Sequence, residues 1–293
     1  MKPLKHWKTL FESHLEAFTQ TLKSPAPLLT QAMNYSLLAG GKRIRPLLVY
    51  GACEAVHGNL ESAHSVALAI EMVHTFSLIH DDLPAMDNDD YRRGKLTNHK
   101  VFGEDIAILA GDALLSEAFT LLSHLTLPPA ITLLMIQTMG DAIGAQGMVA
   151  GQTIDCKSPH TPMTLEQLQS MHALKTGRLI MASLELGALC NPDLSPTQLS
   201  GFKQFGHHLG IAFQIQDDLL DITGDLKTLG KHPHQDEKLG KSTYPSLLGF
   251  QGAQEALSHE TQAAQACLAR IAATGLHTTL LEAVYDFVMV REQ

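Results

Sequence analysis

The 293-residue sequence predicts an all-α fold, a single large bundle of about ten helices or more around a central cavity. Apolar segments of helical length follow one another, and short turns rich in glycine and proline separate them. Helix-start signals occur where such segments begin, for example Thr164 followed by Gln167, which is typical of a capping box. No segment sustains the two-residue alternation of β-branched and aromatic side chains that marks a strand.

In the first half of the chain, proline and glycine mark the ends of the predicted helices. The segment 24–27 ends the first helix, because its prolines lack an amide hydrogen and clash with a helix backbone. The glycine pair at 40–41 interrupts the next pattern, and Pro84 ends or bends a later helix near Leu83. The predicted helices cover residues 4–22, a segment that begins near Leu28, and residues 47–56, 60–82 and 103–125.

The second half continues the helical pattern, and Asn191-Pro192 is its clearest interruption. Because no linker rich in serine, glycine or proline divides the chain, residues 1–293 are predicted to form a single domain. The predicted elements are helices over 130–151, from Thr164 to about Cys190 and from Ser195 through Ile222, a polar loop over 224–244, and two or three final helices.

Composition and charge narrow the classes of function. With 45% apolar and 17% charged residues, the chain can bury a substantial core. The net charge of −9 argues against a nucleic-acid-binding surface. The four cysteines are widely spaced and form no C-x-x-C pair, which favours reduced thiols in a cytoplasmic protein. The N-terminus lacks the apolar run of a signal peptide, and we expect no membrane span because no uninterrupted apolar stretch is long enough.

A dense group of aspartates lies at the end of the predicted helix 60–82, and two arginines follow it. Like charges at this density repel one another, and a bound divalent cation such as Mg²⁺ would relieve the repulsion. Asp81 and Asp82 are placed on the last turn of the helix, and Asp87 lies in the loop behind it. The alternatives are a solvated acidic loop and an EF-hand, and the EF-hand fails because Arg92 stands where its glycine is required.

A second group of aspartates lies inside the predicted helix that ends near Ile222. Asp217 and Asp221 are one turn apart on one face, and Gln214 and Asp218 lie close beside them. Carboxylates among apolar side chains need partners, because burying an uncompensated charge is costly. Two helices that direct aspartates into one cavity are predicted to hold a group of Mg²⁺ ions that binds a diphosphate.

Several basic residues are candidate anion-binding groups. Lys42 and Arg45 are spaced i, i+3 and can point the same way. They form either a diphosphate clamp that needs no metal or an ordinary basic loop. Lys175 lies within an apolar helix, where it needs an anion or several acceptors. Arg92 and Arg93 either neutralise the neighbouring aspartates or bind phosphate oxygens bidentately.

Taken together, these motifs resemble the trans-isoprenyl diphosphate synthases over nearly the whole chain. The motif D-D-x-x-x-x-D begins at Asp81 and D-D-x-x-D begins at Asp217, and Lys-Thr-Gly at 175–177 lies between them. The segments Gly-Gly-Lys-Arg-Ile-Arg-Pro at 40–46 and Gly-Lys-Ser-Thr-Tyr-Pro at 240–245 match as well. The resemblance implies a helical isoprenoid synthase fold and a homodimeric, Mg²⁺-dependent prenyltransferase.

The resemblance also implies a reaction and a role for each motif. Isopentenyl diphosphate would condense with dimethylallyl or geranyl diphosphate to (E,E)-farnesyl diphosphate, by ionisation, condensation and elimination. Three Mg²⁺ ions, which Mn²⁺ is expected to replace, would be held by Asp81, Asp82, Asp87 and Asp217, with support from Asp218 and Asp221. Arg92, Lys175, Lys231 and Lys241 would bind the allylic diphosphate, Lys42, Arg45, His74 and Arg93 would bind isopentenyl diphosphate, and Thr176 and Gln214 would face the developing allylic cation.

Three alternatives stay open. The product could be geranyl or geranylgeranyl diphosphate, the chain could be a non-catalytic regulatory subunit of the same fold, or it could be a class I terpene cyclase. A regulatory subunit should have degraded aspartate motifs, and a cyclase should lack a second diphosphate site; this sequence has neither feature. Two departures from the family pattern are Asn88, where relatives often carry aspartate, and the missing glycine after Lys231, which leaves the path of that loop open.

Phe76 is predicted to set the length of the product. It lies five residues before Asp81, about 7.5 Å along the helix axis, whereas Ser77, one turn before Asp81, is small. In the family, a bulky residue at this position together with two extra residues in the first motif resembles the farnesyl pattern. The resemblance therefore implies a C15 product with Phe76 as the floor of the pocket. The alternative is that Phe76 is simply part of the core.

Overall fold

The computed structural model describes residues 2–159, 161–223 and 240–289, and it confirms the predicted all-α fold. In these residues the strands are β1 (Tyr91–Arg92) and β2 (Lys95–Leu96), which form a short antiparallel hairpin in the loop after the first aspartates. The helices are α1 (Lys2–Thr21), α2 (Pro27–Leu37), α3 (Ile44–Ala55), α4 (Leu60–Asp81), α5 (Asn98–Phe102), α6 (Glu104–Ser123), α7 (Pro129–Ile143), α8 (Met148–Lys157), α9 (Leu165–His172), α10 (Arg178–Ala188), α11 (Pro196–Thr223), α12 (Tyr244–Ala273) and α13 (Thr279–Met289).

α4 is the central helix of the bundle and carries the first aspartates at its C-terminal end. It packs against α3 and α6, and α10 packs against α3 and α11 on the other side. Asn59 begins the helix by accepting a 2.7 Å hydrogen bond from the backbone N–H of Ser62. Most of its side chains are apolar and buried, as expected for a helix without a polar face. The helix ends at Asp81, shortly before Pro84, as the sequence predicts.

The prediction of one helix over residues 130–151 is wrong, because α7 and α8 replace it. The helix is interrupted between Gly144 and Gly147, neither of which has helical backbone angles. A side-chain carbon at Gly147 would lie 2.1 Å from the carbonyl oxygen of Ala142, so this turn has room only for glycine. α8 is therefore a separate helix, and it begins at Met148. Neither the short hairpin nor α5 was predicted.

The capping box predicted at Thr164 and Gln167 is confirmed, with both reciprocal hydrogen bonds present. α9 continues into α10 through a π-helical turn at Ala173–Gly177. Such turns insert an extra residue into a helix and often occur at functional sites. This turn contains Lys175 and Thr176.

Two helices, α4 and α6, are long and apolar enough to cross a membrane by length and composition, although the sequence analysis expected no such stretch. In α4, 72% of the most apolar window is buried inside the protein, which is the environment of a core helix. The corresponding share of α6 is 33%, so much of its apolar surface lies outside the core. One or two such helices are weak evidence for a membrane span. Burial in the core explains the apolar composition of α4.

Candidate active site

A cavity of about 360 Å³ opens between α4, α8 and the π-helical turn. Asp81 and Lys175 supply charged groups to its lining, whereas Phe76, Met148 and Val149 supply apolar surface. A concave site with apolar walls and a few polar groups is the usual form of a small-molecule pocket. The structure therefore brings Asp81 of the first aspartate motif, Lys175 of Lys-Thr-Gly and Phe76 to one cavity.

The two adjacent aspartates at the end of α4 have different partners. Asp82 is buried, and both of its carboxylate oxygens accept hydrogen bonds from Arg92 Nε, at 2.7 and 2.9 Å. Burial raises the pKa of Asp82, and Arg92 acts in the opposite direction. Arg92 thus neutralises an aspartate, which is one of the two roles that the sequence allowed, and Asp82 in turn holds the Arg92 guanidinium at the end of α4.

Asp81 faces the cavity and lies among groups of both charges. Gln152 donates a hydrogen bond to Asp81 Oδ1, and Lys175 Nζ lies 4.0 Å from Oδ2. The backbone N–H of Asp87 donates to the carbonyl oxygen of Asp81 at 2.9 Å, which keeps these two aspartates close. Burial raises the pKa of Asp81 to about 6, Lys175 lowers it, and the nearby Asp87 raises it. A divalent cation would favour the charged carboxylate here.

Asp155 on α8 is a site residue that the sequence analysis missed. Its Oδ2 accepts hydrogen bonds from Lys175 Nζ at 2.5 Å and from Lys241 Nζ at 3.3 Å. Burial disfavours the carboxylate, but the two lysines hold the pKa of Asp155 below its usual value. Asp155 therefore places two predicted diphosphate-binding lysines side by side. The available signal was an aspartate in the otherwise mostly apolar segment 148–156, where a carboxylate needs a partner.

The π-helical turn connects the first aspartates with α11. Its Lys175 faces Asp81 and Asp155, and burial alone would lower the pKa of Lys175, but these two carboxylates raise it above its usual value. The next residue, Thr176, donates its hydroxyl to Gln214 Oε1 at 2.7 Å. The structure thus brings together Thr176 and Gln214, which the resemblance places against the developing allylic cation. Gln214 lies on α11, one turn before the second aspartates.

The second aspartate motif is less uniform than the first. Asp217 is half-buried, whereas Asp218 and Asp221 are buried. Asp218 Oδ2 accepts a 2.9 Å hydrogen bond from the backbone N–H of Tyr244, the first residue of α12. Asp218 therefore also fixes the start of α12, just after Lys241, a function that the sequence analysis did not foresee.

The predicted isopentenyl diphosphate residues meet at the start of α3. Arg45 Nη1 lies 3.5 Å from His74 Nε2, and Arg93 donates a hydrogen bond to the carbonyl oxygen of Gly40. Burial, followed by Arg45 and then Arg93, lowers the pKa of His74 well below its usual value, so the ring is neutral. Lys42 is exposed on the same loop.

One premise for Lys42 and Arg45 is wrong, because Lys42 does not lie on the helix and the i, i+3 argument does not apply. α3 begins only at Ile44, and the intervening Arg43 has a left-handed backbone with φ of 56°. The Arg43 side chain turns inward instead, and its guanidinium bonds Glu71 at 2.6 Å and Glu12 at 2.9 Å. These buried ion pairs tie the loop before α3 to Glu12 on α1 and to Glu71 on α4.

The aspartates fit a Mg²⁺–diphosphate site better than a metal site made of protein alone. Within residues 2–159, 161–223 and 240–289, no three His, Cys, Asp or Glu side chains form a group that could hold a metal ion. Mg²⁺ is usually bound by one or two carboxylates, with substrate phosphates and water as the other ligands. Asp81 and Asp87 supply hard oxygen atoms of this kind. Lys231 lies outside the described residues.

Comparisons with known proteins agree with this site. Residues 26–274 match the family described as Polyprenyl synthetase. The farnesyl diphosphate synthase of Geobacillus stearothermophilus is 46% identical over 265 residues, which are 89% of this chain and 89% of that protein. A geranyltransferase from Legionella pneumophila has a TM-score of 0.88 at 34% identity, covering 99% of this chain and 97% of that chain.

A geranyltransferase from Helicobacter pylori, solved in complex with magnesium and isoprenyl diphosphate, has a TM-score of 0.82 at 33% identity. That similarity covers 96% of this chain and 95% of that chain. These matches confirm the family resemblance that rests on the two aspartate motifs: the chain belongs to the polyprenyl synthetase family.

Proposed function

We propose that the residues of the candidate active site catalyse the condensation of isopentenyl diphosphate with dimethylallyl and geranyl diphosphate to (E,E)-farnesyl diphosphate. The chain is an isoprenyl transferase, and the similar bacterial enzymes make this C15 product. The observation that carries the assignment of residues is the cavity itself, because its charged groups Asp81 and Lys175 share one lining with the apolar Phe76. A diphosphate and a hydrocarbon chain require such a pair of environments.

The proposed metal is Mg²⁺, with three ions expected and Mn²⁺ able to replace them. Asp81, Asp87 and Asp217 would hold the ions, and Asp82, Asp218 and Asp221 would support them. When bound, the ions neutralise the negative charge that develops on the departing diphosphate. The raised pKa of Asp81, caused first by burial, supports this assignment, because a carboxylate in that environment gains from a cation.

The chain's own cations bind and orient the allylic diphosphate. Lys175, which lines the cavity, and Lys241 both contact Asp155, and Arg92 is held by Asp82. These contacts support the proposal that all three cations face the bound diphosphate. Preorganised cations stabilise a leaving diphosphate without rearranging at the moment of ionisation. The same role is proposed for Lys231.

The allylic cation then needs protection and a nucleophile. Thr176 and Gln214 place two oxygen atoms 2.7 Å apart near the cavity, and these would face the positive charge. The apolar lining keeps water from reaching the cation. Isopentenyl diphosphate, bound by Lys42, Arg45, His74 and Arg93, presents its double bond, and a proton is then lost to the departing diphosphate.

Phe76 is proposed to end the pocket at C15. It lies on α4, five residues before Asp81, is 8% exposed and lines the same cavity. The test is to incubate the purified chain with labelled isopentenyl diphosphate, dimethylallyl diphosphate and Mg²⁺. The unmodified chain should make C15, and Phe76→Ala should make C20 or longer. No incorporation of label would identify a cyclase or a non-catalytic subunit, and an unchanged product from active Phe76→Ala would refute the floor.

We further propose that residues 1–293 act as one domain in the cytoplasm and that two copies associate through α6 and α7. Ile108 and Leu109 on α6 are exposed, as are Leu133 and Leu134 on α7, which packs against it. Burying such apolar surface stabilises association. Sedimentation should give a dimer, and Leu109→Glu with Leu133→Glu should shift it towards monomer. A monomeric unmodified chain would contradict this assembly.

A further inference from the structure

His80 occupies a closely defined position between α4 and α6. Its Nε2 donates a 3.0 Å hydrogen bond to the carbonyl oxygen of Ile108, since a carbonyl oxygen can only accept. A side-chain carbon at Gly111 would lie 2.2 Å from the same nitrogen, so the ring fills space that only glycine leaves open. The ring cannot move further towards α6. It is therefore held by α6 on one side, and it also lines the cavity on α4.

The ring of Phe76 rests against His80. The two residues are one helical turn apart, their ring centroids are 5.1 Å apart, and their planes meet at 81°. This edge-to-face arrangement is a preferred and stabilising geometry for aromatic pairs. α6 thus fixes His80, and His80 supports Phe76 from the side.

We propose that His80 is a positioning residue for product length: it holds the Phe76 ring across the pocket, in a place set by Gly111 and Ile108. The inference rests on the proposed function, because it takes Phe76 as the floor. Without the neighbouring ring, Phe76 gains room to rotate away from the growing chain. A longer product then fits, although Phe76 is still present.

The experiment compares product distributions from labelled isopentenyl diphosphate for the unmodified chain, His80→Ala, His80→Gln and Phe76→Ala. We expect His80→Ala to raise the ratio of C20 to C15 product by about tenfold, which corresponds to ~1.4 kcal/mol between the two outcomes. His80→Gln keeps a donor for Ile108 but removes the ring, and it should shift the ratio in the same direction. It also covers the case in which His80→Ala does not fold.

A second comparison separates positioning from an independent barrier. If His80 acts through Phe76, adding His80→Ala to Phe76→Ala should leave the product distribution of Phe76→Ala unchanged. The matched control is His124→Ala, because His124 is exposed just after the end of α6 and its ring bonds the carbonyl oxygen of Thr120 in that helix. That variant should keep the unmodified product ratio, and the KM for isopentenyl diphosphate should stay unchanged throughout the series.

The outcomes distinguish this inference from the proposed function. If Phe76→Ala lengthens the product and both folded His80 variants do not, the positioning role is wrong and the floor stands. Further lengthening in the double variant would make His80 a separate barrier, which also overturns the role. If Phe76→Ala itself leaves the product at C15, the floor is wrong and the inference falls with it.

Discussion

The two proposed diphosphate-binding regions differ in the contacts that the structure describes for their basic residues. In the first region, around the π-helical turn, three cations contact carboxylates: Lys175 and Lys241 contact Asp155, and Arg92 contacts Asp82. In the second region, at the start of α3, the ring of His74 lies beside Arg45, and burial together with Arg45 and Arg93 lowers the pKa of the ring well below its usual value. We expect a diphosphate to bind the second region without a metal ion, as the sequence predicts for this basic loop. In the first region it meets anions as well, so it needs a metal ion to bind.

The largest expected effect comes from removing the metal ion. We expect a chelator to abolish turnover, to weaken binding of a non-reactive allylic diphosphate analogue by about tenfold or more, and to change the affinity for isopentenyl diphosphate by less than about threefold. Equilibrium binding of each ligand with and without Mg²⁺ measures this difference. Asp81→Ala should reproduce the pattern, with kcat reduced by about 10³ or more.

The matched control for Asp81→Ala is Asp90→Ala in the same loop. Asp90 is exposed and pairs with Lys100 at 2.7 Å, and such surface ion pairs contribute little to stability. Circular dichroism should show the same helix content in both variants. An equal loss of affinity for both diphosphates on chelation would end the distinction between the two regions.

A smaller effect is expected when the carboxylate that holds the two lysines is neutralised. Asp155→Asn keeps the shape of the side chain but weakens its bonds to Lys175 and Lys241, so both cations lose a fixed position. Residues that orient ligand-binding groups typically contribute about 10- to 100-fold. We expect kcat/KM for the allylic substrate to fall within that range, with the KM for isopentenyl diphosphate unchanged. Asp141→Asn, on the exposed side of α7, is the control.

Asp155→Asn would also distinguish a role of Asp155 in orienting the two lysines from a role in stabilising the fold. If Asp155 only stabilised the fold, Asp155→Asn would lower the melting temperature and affect both substrates alike. A selective loss for the allylic substrate that persists well below the melting temperature supports the organising role. No loss at all would mean that the two lysines are positioned without Asp155.

Local sequence rules predicted the elements that depend on neighbouring residues. The end of α4 at Asp81, the capping box at Thr164 and the all-α fold all follow from patterns within a few positions. The break at Gly144 and Gly147 was missed, because glycine inside an apolar pattern can also be tolerated in a helix. As a consequence, α8, which carries Gln152 and Asp155, was not recognised as a separate helix.

The missed parts of the site depend on residues that are distant in the chain. Asp155 gains its role from lysines 20 and 86 positions away, and no spacing rule covers such distances. Arg43 stands between Lys42 and Arg45 in the sequence, but its guanidinium bonds Glu12, 31 positions earlier, and Glu71, 28 positions later. The difference between Asp81 and Asp82 likewise depends on the fold, because the hairpin places its Arg92 against Asp82.

The smallest expected effect concerns His74, and it tests the neutral ring in the α3 region. Arg45 can only donate, so His74 Nε2 accepts, and burial with Arg45 and Arg93 keeps the pKa of the ring well below its usual value. Lowering the pH from about 8 to 6 should then leave His74 uncharged in the free enzyme. kcat/KM for isopentenyl diphosphate reports the free enzyme, and the substrate's own ionisation is common to all variants. The ratio of kcat/KM between His74→Gln and the unmodified chain should therefore stay constant within about twofold over this range.

A ratio that changes by about tenfold would show that His74 gains a proton there. The α3 region would then bind its diphosphate partly through a titrating charge, and the contrast between the two regions would weaken.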